Sequence, residues 1–255
     1  MATMLEVQNV SKLFGGLAAV KEVTLSVQKD ELLSIIGPNG SGKTTLFNLI
    51  TGVYEVTQGS ILFEGEPIHH QISSRIAVQG IARTFQNIKL FHTLSVLENV
   101  LIASYCHGRP KPWSHILGLR QGVKRERELQ ETSHRLLEFV GLTKRHDEIA
   151  KNLAYGDQKK LEIARALAVK PKLLLLDEPV SGLNPAEKNE VIDLIAKIQG
   201  EGITVLLIEH DMKVVMNISQ RIIVLNFGQM IAQGSPEVIK RNPTVIEAYL
   251  GPDLA

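Results

Sequence analysis

The residues richest in chemistry lie in GPNGSGKTT at 37–45, one short run of a 255-residue chain. Its spacing is G-x-x-x-x-G-K-[ST], the pattern of a phosphate-cradling loop. Gly37, Gly40 and Gly42 let the backbone curl so that N–H groups point inward at phosphate oxygens, with Pro38, Asn39 and Ser41 completing the turn. Lys43 would neutralise the β- and γ-phosphates of a nucleoside triphosphate, and Thr44, with Thr45 beside it, would ligate Mg²⁺ through its hydroxyl. Such a loop needs a strand before it and a helix after it, so that the positive end of the helix dipole faces the anion. ELLSII at 31–36 and TTLFNLI at 44–50 meet both demands.

A second run, LLLLDEP at 173–179, ends a buried-type strand in two carboxylates. In open α/β folds ligands bind at that strand end. Asp177 is placed to hold Mg²⁺, directly or through water, and Glu178 to orient and deprotonate an attacking water. A strand ending in Asp-Glu is common by itself; beside a phosphate loop it specifies phosphoryl chemistry.

The elements that must carry these runs follow from periodicity. ELLSII, KLLLLD (172–177), ITVLLIE (203–209) and RIIVLN (221–226) are almost continuously apolar, as strands covered on both faces of a parallel sheet must be. Helices are expected over 44–50, over KKLEIARALAV (159–169), with Leu161, Ala164, Leu167 and Ala168 on one stripe, and over AEKNEVIDLIAKI (186–198), which Pro185 starts. LEVQNV (5–10), VTLSVQ (23–28) and GSILFEG (59–65) alternate apolar and polar, which predicts a smaller antiparallel sheet with one wet face. The stretch from about 90 to 155 has no buried-type strand. It holds SVLENVLIA (95–103), a loop with Gly108, Pro110 and Pro112, and the charged run 124–140, and is expected to form an inserted helical subdomain.

Composition bounds the rest. Apolar residues make up 44% and charged residues 22%, ordinary for a globular chain and too apolar for disorder. Lys and Arg number 28 against 27 Asp and Glu, so the basic field of a nucleic-acid binder is absent. The single Cys106 excludes an intramolecular disulfide and fits a reducing compartment. The N-terminal segment lacks the apolar core of a signal peptide, and no apolar run approaches membrane-spanning length, so a cytoplasmic α/β protein is expected.

Five further segments match, in order, the ATP-binding subunits of ABC transporters, which the chain resembles over essentially its full length. Gln86 in ARTFQN resembles the Q-loop glutamine that contacts Mg²⁺ and water; LAYGDQKKLEIARAL (153–167) resembles the signature segment and its helix; SGLNP (181–185) resembles the D-loop; His210 resembles the switch histidine that reaches the γ-phosphate; Phe14 occupies the place of the aromatic that stacks on adenine. The resemblance implies a P-loop NTPase fold with a mostly parallel core sheet, an antiparallel β lobe (with the core, 1–89 and 156–255) and a helical subdomain (about 90–155). It implies ATP and Mg²⁺ as ligands, with Glu178, His210, Gln86 and Lys43 catalytic. It also implies a head-to-tail dimer with a second ATPase subunit, either a paralogue or a second copy. In that dimer Ala154, Tyr155, Gly156 and Asp157 would close the partner's site. Two membrane permeases and, indirectly, a substrate-binding protein complete the assembly, with this chain peripheral at the cytoplasmic face of the inner membrane.

Within that family LAYG, FGGLAAV, RTFQN…LSVLENV and QGSPEVIKRNPTVIEAYLG resemble branched-chain amino acid importer ATPases of the LivG type. ATPases of urea and short-amide importers share several of these segments. One cassette, no heptad stretch and near-zero net charge argue against the non-transport members. Departures from the family pattern are Ala154 and Tyr155 for Ser and Gly, Asp157 for Gln, and Asn184 for Asp. Asp157 is expected either to repel an incoming triphosphate or to cap the N–H groups of the signature helix.

Overall fold

A computed structural model describes residues 2–107 and 120–250. The expected loop around Gly108, Pro110 and Pro112, and the last residue of the C-terminal motif, Gly251, lie outside the described residues. The chain opens with β1 (Thr3–Phe14) and β2 (Leu17–Gln28), an antiparallel pair joined over Gly15 and Gly16. Then come β3 (Leu32–Ile36), helix α1 (Lys43–Ile50), β4 (Gln58–Phe63) and the short β5 (Glu66–Pro67). Strands β1, β2, β4 and β5 form the expected antiparallel sheet, in the order β2-β1-β4-β5. Helix α2 (Ser73–Gln79) and β6 (Ile81–Arg83) lead into the helical stretch, α3 (Val96–Ser104) and α4 (Arg120–Phe139). Helix α5 (Tyr155–Ala168), β7 (Leu173–Asp177), α6 (Pro185–Gly200) and β8 (Thr204–Ile208) follow. Helix α7 (Met212–Ile218), strands β9 (Arg221–Asn226) and β10 (Gln229–Gly234), and helices α8 (Pro236–Lys240) and α9 (Pro243–Leu250) end the described chain.

The second sheet has six strands in the order β10-β9-β3-β8-β7-β6, parallel throughout except at the β10–β9 pair. Its central strands are wholly buried because successive residues serve opposite layers. Leu33, Ile35, Leu173, Leu175, Leu206 and Ile208 pack with α1 and the antiparallel sheet. Leu174, Leu176, Val205 and Leu207 pack on the other face with α3, α5 and α6. Two-sided burial explains why these strands read as continuous apolar runs. Two edge strands escaped periodicity: β6 has only three residues, and β10 is half-buried and polar at both ends.

Packing in the helical stretch is continuous with the helix that follows it. Helix α5 packs against both α3 and α4, and Val96, Val100, Leu137 and Val140 share one apolar cluster with Leu161, Leu174 and Leu176. The signature helix thus shares the apolar layer of the helical stretch. Among the described residues no helix is long and apolar enough to cross a membrane.

Asn184 begins α6 with a capping box: its side chain accepts from the Ala186 and Glu187 N–H groups, and Glu187 accepts in return from the Asn184 N–H. Asn184→Ala should lower unfolding stability by about 1 kcal/mol in a urea titration, whereas Asn184→Asp should hold it within about 0.5 kcal/mol.

Candidate active site

The loop between β3 and α1 is shaped as much by its own neighbours as by any ligand. Gly42, the residue before α1, has φ 98°, and a Cβ there would collide with the Ala19 carbonyl oxygen. At Gly37 a Cβ would strike the Leu225 carbonyl oxygen. Gly40, at φ 79°, faces open space instead. The Lys43 ammonium donates to the carbonyls of Gly37 (2.7 Å) and Pro38 (2.9 Å), so its charge is held over the loop mouth. Burial pushes its pKa down, opposed by the nearby Glu178 and Asp177 carboxylates. Residues 39–45 line a cleft of about 480 Å³ together with Gln86, Glu178, Leu17, Ala18, Ala19 and Phe227.

Three residues that sequence spacing cannot link meet at the side of this cleft. The Gln86 amide donates to Glu178 Oε2 at 3.1 Å, and His210 Nδ1 lies 3.6 Å from the same oxygen. Glu178 itself has φ 50°, a left-handed conformation that costs a non-glycine residue energy and re-aims its side chain out of strand direction. Its N–H is paired with the Ile208 carbonyl at 2.9 Å. Gln86 thus faces the expected base rather than the expected metal ligand Asp177.

Asp177 is 1% exposed, and burial raises its pKa against the lowering effect of Arg83. Its Oδ2 accepts from Arg83 at 2.7 Å, while Oδ1 is buried without a hydrogen-bond partner. A buried carboxylate oxygen left unpaired is costly, and a hard divalent cation is the partner its chemistry suits. Asp177 and the exposed Thr44 in the first turn of α1 therefore fit Mg²⁺.

Several site residues had no sequence signal of their own. Glu209, fully buried after β8, accepts from the N–H groups of Val180 (3.1 Å), His210 (3.0 Å) and Asp211 (3.3 Å), and its pKa is raised by burial. Glu162 on α5 accepts from Phe85 N–H (3.2 Å) and Lys89 N–H (3.3 Å), which hangs the Gln86 segment from that helix; its pKa too is raised by burial. Only an acidic residue inside an otherwise apolar stripe could have hinted at either.

The remaining expected residues lie elsewhere. Ala154, Tyr155, Gly156 and Asp157 do not line the cleft; Tyr155 is exposed, Gly182 sits against its ring, and Gly156 packs on the Glu187 side chain. Asp177 and His210 are also absent from the lining, as is Phe14. Phe14 is 43% exposed, edge-to-face with Tyr54 at 5.2 Å, and paired across the β1–β2 turn with the cleft residue Leu17.

Asp157 does not cap the signature helix, the second of the two expectations. Ala154 is the residue before α5 and no side chain caps that end, while the Asp157 carboxylate pairs with Arg145 (3.4 Å) and Lys160 (3.5 Å). Each cation also has a second carboxylate partner, Glu148 for Arg145 and Glu190 for Lys160, so Asp157 belongs to a mixed surface cluster of ion pairs. Asp157→Gln should change ATP-driven association by less than about twofold in sedimentation, and urea stability by less than about 0.5 kcal/mol, as for other surface pairs.

The sequence family described as "ABC transporter" matches residues 20–181, more than half of the chain, and one described as "branched-chain amino acid ATP-binding cassette transporter" matches 229–251. The chain is 46% identical over 249 residues to the high-affinity branched-chain amino acid transport ATP-binding protein BraF of Pseudomonas aeruginosa, covering 97% of this chain and 98% of that one. It is 44% identical to the corresponding LivG of Escherichia coli, with the same coverage. Among solved structures, a nucleotide-free ATP-binding cassette of an ABC transporter superposes with a TM-score of 0.86 at 35% identity, over 98% of this chain and 99% of that chain. The ADP conformation of the cassette MJ1267 gives 0.86 at 34%, over 98% and 100%. A phosphate loop, an acidic strand end and near-full-length similarity of this order place the chain in the family of ABC transporter ATP-binding proteins, which are ATPases.

Proposed function

We propose that the chain powers uptake of branched-chain amino acids, as one of two ATPase subunits set head to tail beneath two membrane permeases at the cytoplasmic face. The observation that carries this reading is the 44–46% identity, over nearly the whole of both chains, to proteins named for that transport. The position of the signature residues supports the dimer reading: Tyr155 and Asp157 lie outside the lining of their own chain's phosphate cleft, as residues that serve a second chain's site would. A paralogue is the expected second chain.

The hydrolytic roles follow from position. Backbone N–H groups of 39–45 and the Lys43 ammonium bind the triphosphate and neutralise it. Thr44 and Asp177 would hold Mg²⁺, which would supply neutralisation of the phosphate charge. Glu178 takes the proton of the water whose oxygen attacks the γ-phosphorus as the bond to the bridging oxygen breaks, and Gln86 holds the carboxylate in place. His210, reaching the same oxygen, orients the water from the other side. Phe14 offers an exposed ring to adenine on the hairpin whose Leu17, Ala18 and Ala19 line the cleft.

A second cleft of about 660 Å³ lies across the sheet edge, lined by Phe85, Ile88, Leu90 and Phe91 of the segment after Gln86 and by Val53, Ile76 and Val169. An apolar groove of this kind suits a permease helix, and it begins beside the glutamine of the active site. Leu90 and Val96 are buried in core packing, so the apolar residues of this segment serve both fold and groove.

In proteoliposomes holding the co-encoded permeases and binding protein, internal ATP should drive accumulation of leucine, isoleucine or valine rather than urea. Glu178→Gln should bind ATP normally yet cut hydrolysis and uptake by about 10²–10⁴. Equal uptake of urea would reassign the cargo, and turnover near wild type would mean another group activates the water. Phe14→Ala should weaken ATP binding by about 1–3 kcal/mol in calorimetric titration, with an unchanged melting temperature. A loss confined to Phe227→Ala would move adenine to that exposed ring instead.

A further inference from the structure

Arg83, the last residue of the edge strand β6, is 6% exposed and has no assigned part in the reaction. Its guanidinium is held from four sides. One nitrogen donates to Asp177 Oδ2 at 2.7 Å, and another donates to Asn48 Oδ1 on α1 at 2.6 Å. Its planar group lies 5.4 Å from the Phe47 ring centroid and 5.1 Å from that of Phe85, the neighbour of Gln86. The nitrogen that meets Asn48 also approaches the Thr51 hydroxyl at 3.5 Å, while Nε has no partner. The adjacent Thr84 fixes the main chain: its hydroxyl accepts from Asp177 N–H at 3.2 Å, and its own N–H donates to Leu175 at 2.9 Å.

A carboxylate has two oxygens, and here only one is engaged. With Oδ2 held by Arg83, the Asp177 side chain cannot rotate to satisfy Oδ1 elsewhere, and Oδ1 stays buried and unpaired. We propose that Arg83 is a positioning residue that clamps Asp177 through Oδ2 so that Oδ1 is presented to the divalent cation accompanying ATP. Its contacts to α1 and to Phe85 tie that carboxylate to the helix behind the phosphate loop and to the segment bearing Gln86. The inference rests on the reading of Asp177 as the carboxylate that holds the metal. Lysine does not reproduce the role, because a single ammonium lacks the planar fork that reaches Asp177 and Asn48 at once and stacks between rings.

The test is metal binding rather than turnover. Binding of a fluorescent ATP analogue to the intact chain would be measured in EDTA and in Mg²⁺, with Mn²⁺ spin resonance reporting the metal on the ATP-loaded chain. Arg83→Met should leave affinity in EDTA within about twofold and weaken Mn²⁺ by about tenfold, the effect usual for residues that orient a metal ligand, with Arg83→Lys restoring only part. Unchanged or tighter Mn²⁺ binding in Arg83→Met would overturn the proposal. Should Arg83→Met not fold, Asn48→Ala, which removes the second anchor, should weaken Mn²⁺ in the same direction at unchanged EDTA affinity, and no change there would overturn it equally. Asp177→Asn separates the two readings. If it keeps Mn²⁺ affinity, Asp177 is not the metal carboxylate. If it loses that affinity while Arg83→Met keeps it, only the clamp fails.

Discussion

A parallel sheet covered on both faces leaves only its strand ends for chemistry, and this chain uses one of them. Strands β3, β8, β7 and β6 are successive neighbours, and each delivers a functional segment from its carboxyl end: residues 37–42, 209–210, 177–178 and 84–86. At about 4.8 Å between strands, the four ends span about 14 Å, so groups scattered over more than 170 positions of sequence act on one ligand. The burial that makes these strands apolar is thus also what gathers the polar residues.

Gathering them requires irregular backbone close to the core, where unpaired N–H groups cost about 1–3 kcal/mol each. The chain meets that cost with buried carboxylates. Glu209 takes three N–H groups from the segments after β7 and β8, and Glu162 takes two from the segment carrying Gln86. Burial raises the pKa of both, and the N–H groups that face them oppose that shift. Lys159, buried beside them with its pKa lowered, donates to the carbonyls of Glu178 (3.3 Å) and Gln86 (3.5 Å).

Lys159, Glu162 and Arg165 recur at three-residue spacing on α5, so one helix face holds the loop from Phe85 to Lys89 through main-chain contacts; Arg165 donates to the Lys89 carbonyl and stacks on Phe91. The same helix starts at Tyr155, among the residues assigned to the partner's ATP. The groove segment, the active-site glutamine and the signature end therefore belong to one packed unit.

Local pattern sufficed wherever a residue's role depends on its immediate neighbours. The phosphate loop, the Asp-Glu strand end, the central strands and the helices over 44–50, 159–169 and 186–198 were all legible, because two-sided burial and helix periodicity write themselves into consecutive residues. Edge strands β6 and β10 were not, since half-exposed short strands carry no such signature. Nor was the anchoring by Glu162 and Glu209, the pairing of Asp157 with Arg145, or the placing of Phe14 beside Tyr54. Arg83 stood in plain view within ARTFQN without meaning. Its partners Asn48 and Asp177 lie 35 and 94 positions away. Sequence by itself determined which elements form and which groups could do phosphoryl chemistry; only the tertiary structure decided which polar groups meet, because a buried hydrogen bond depends on distance in space, which spacing along the chain does not encode.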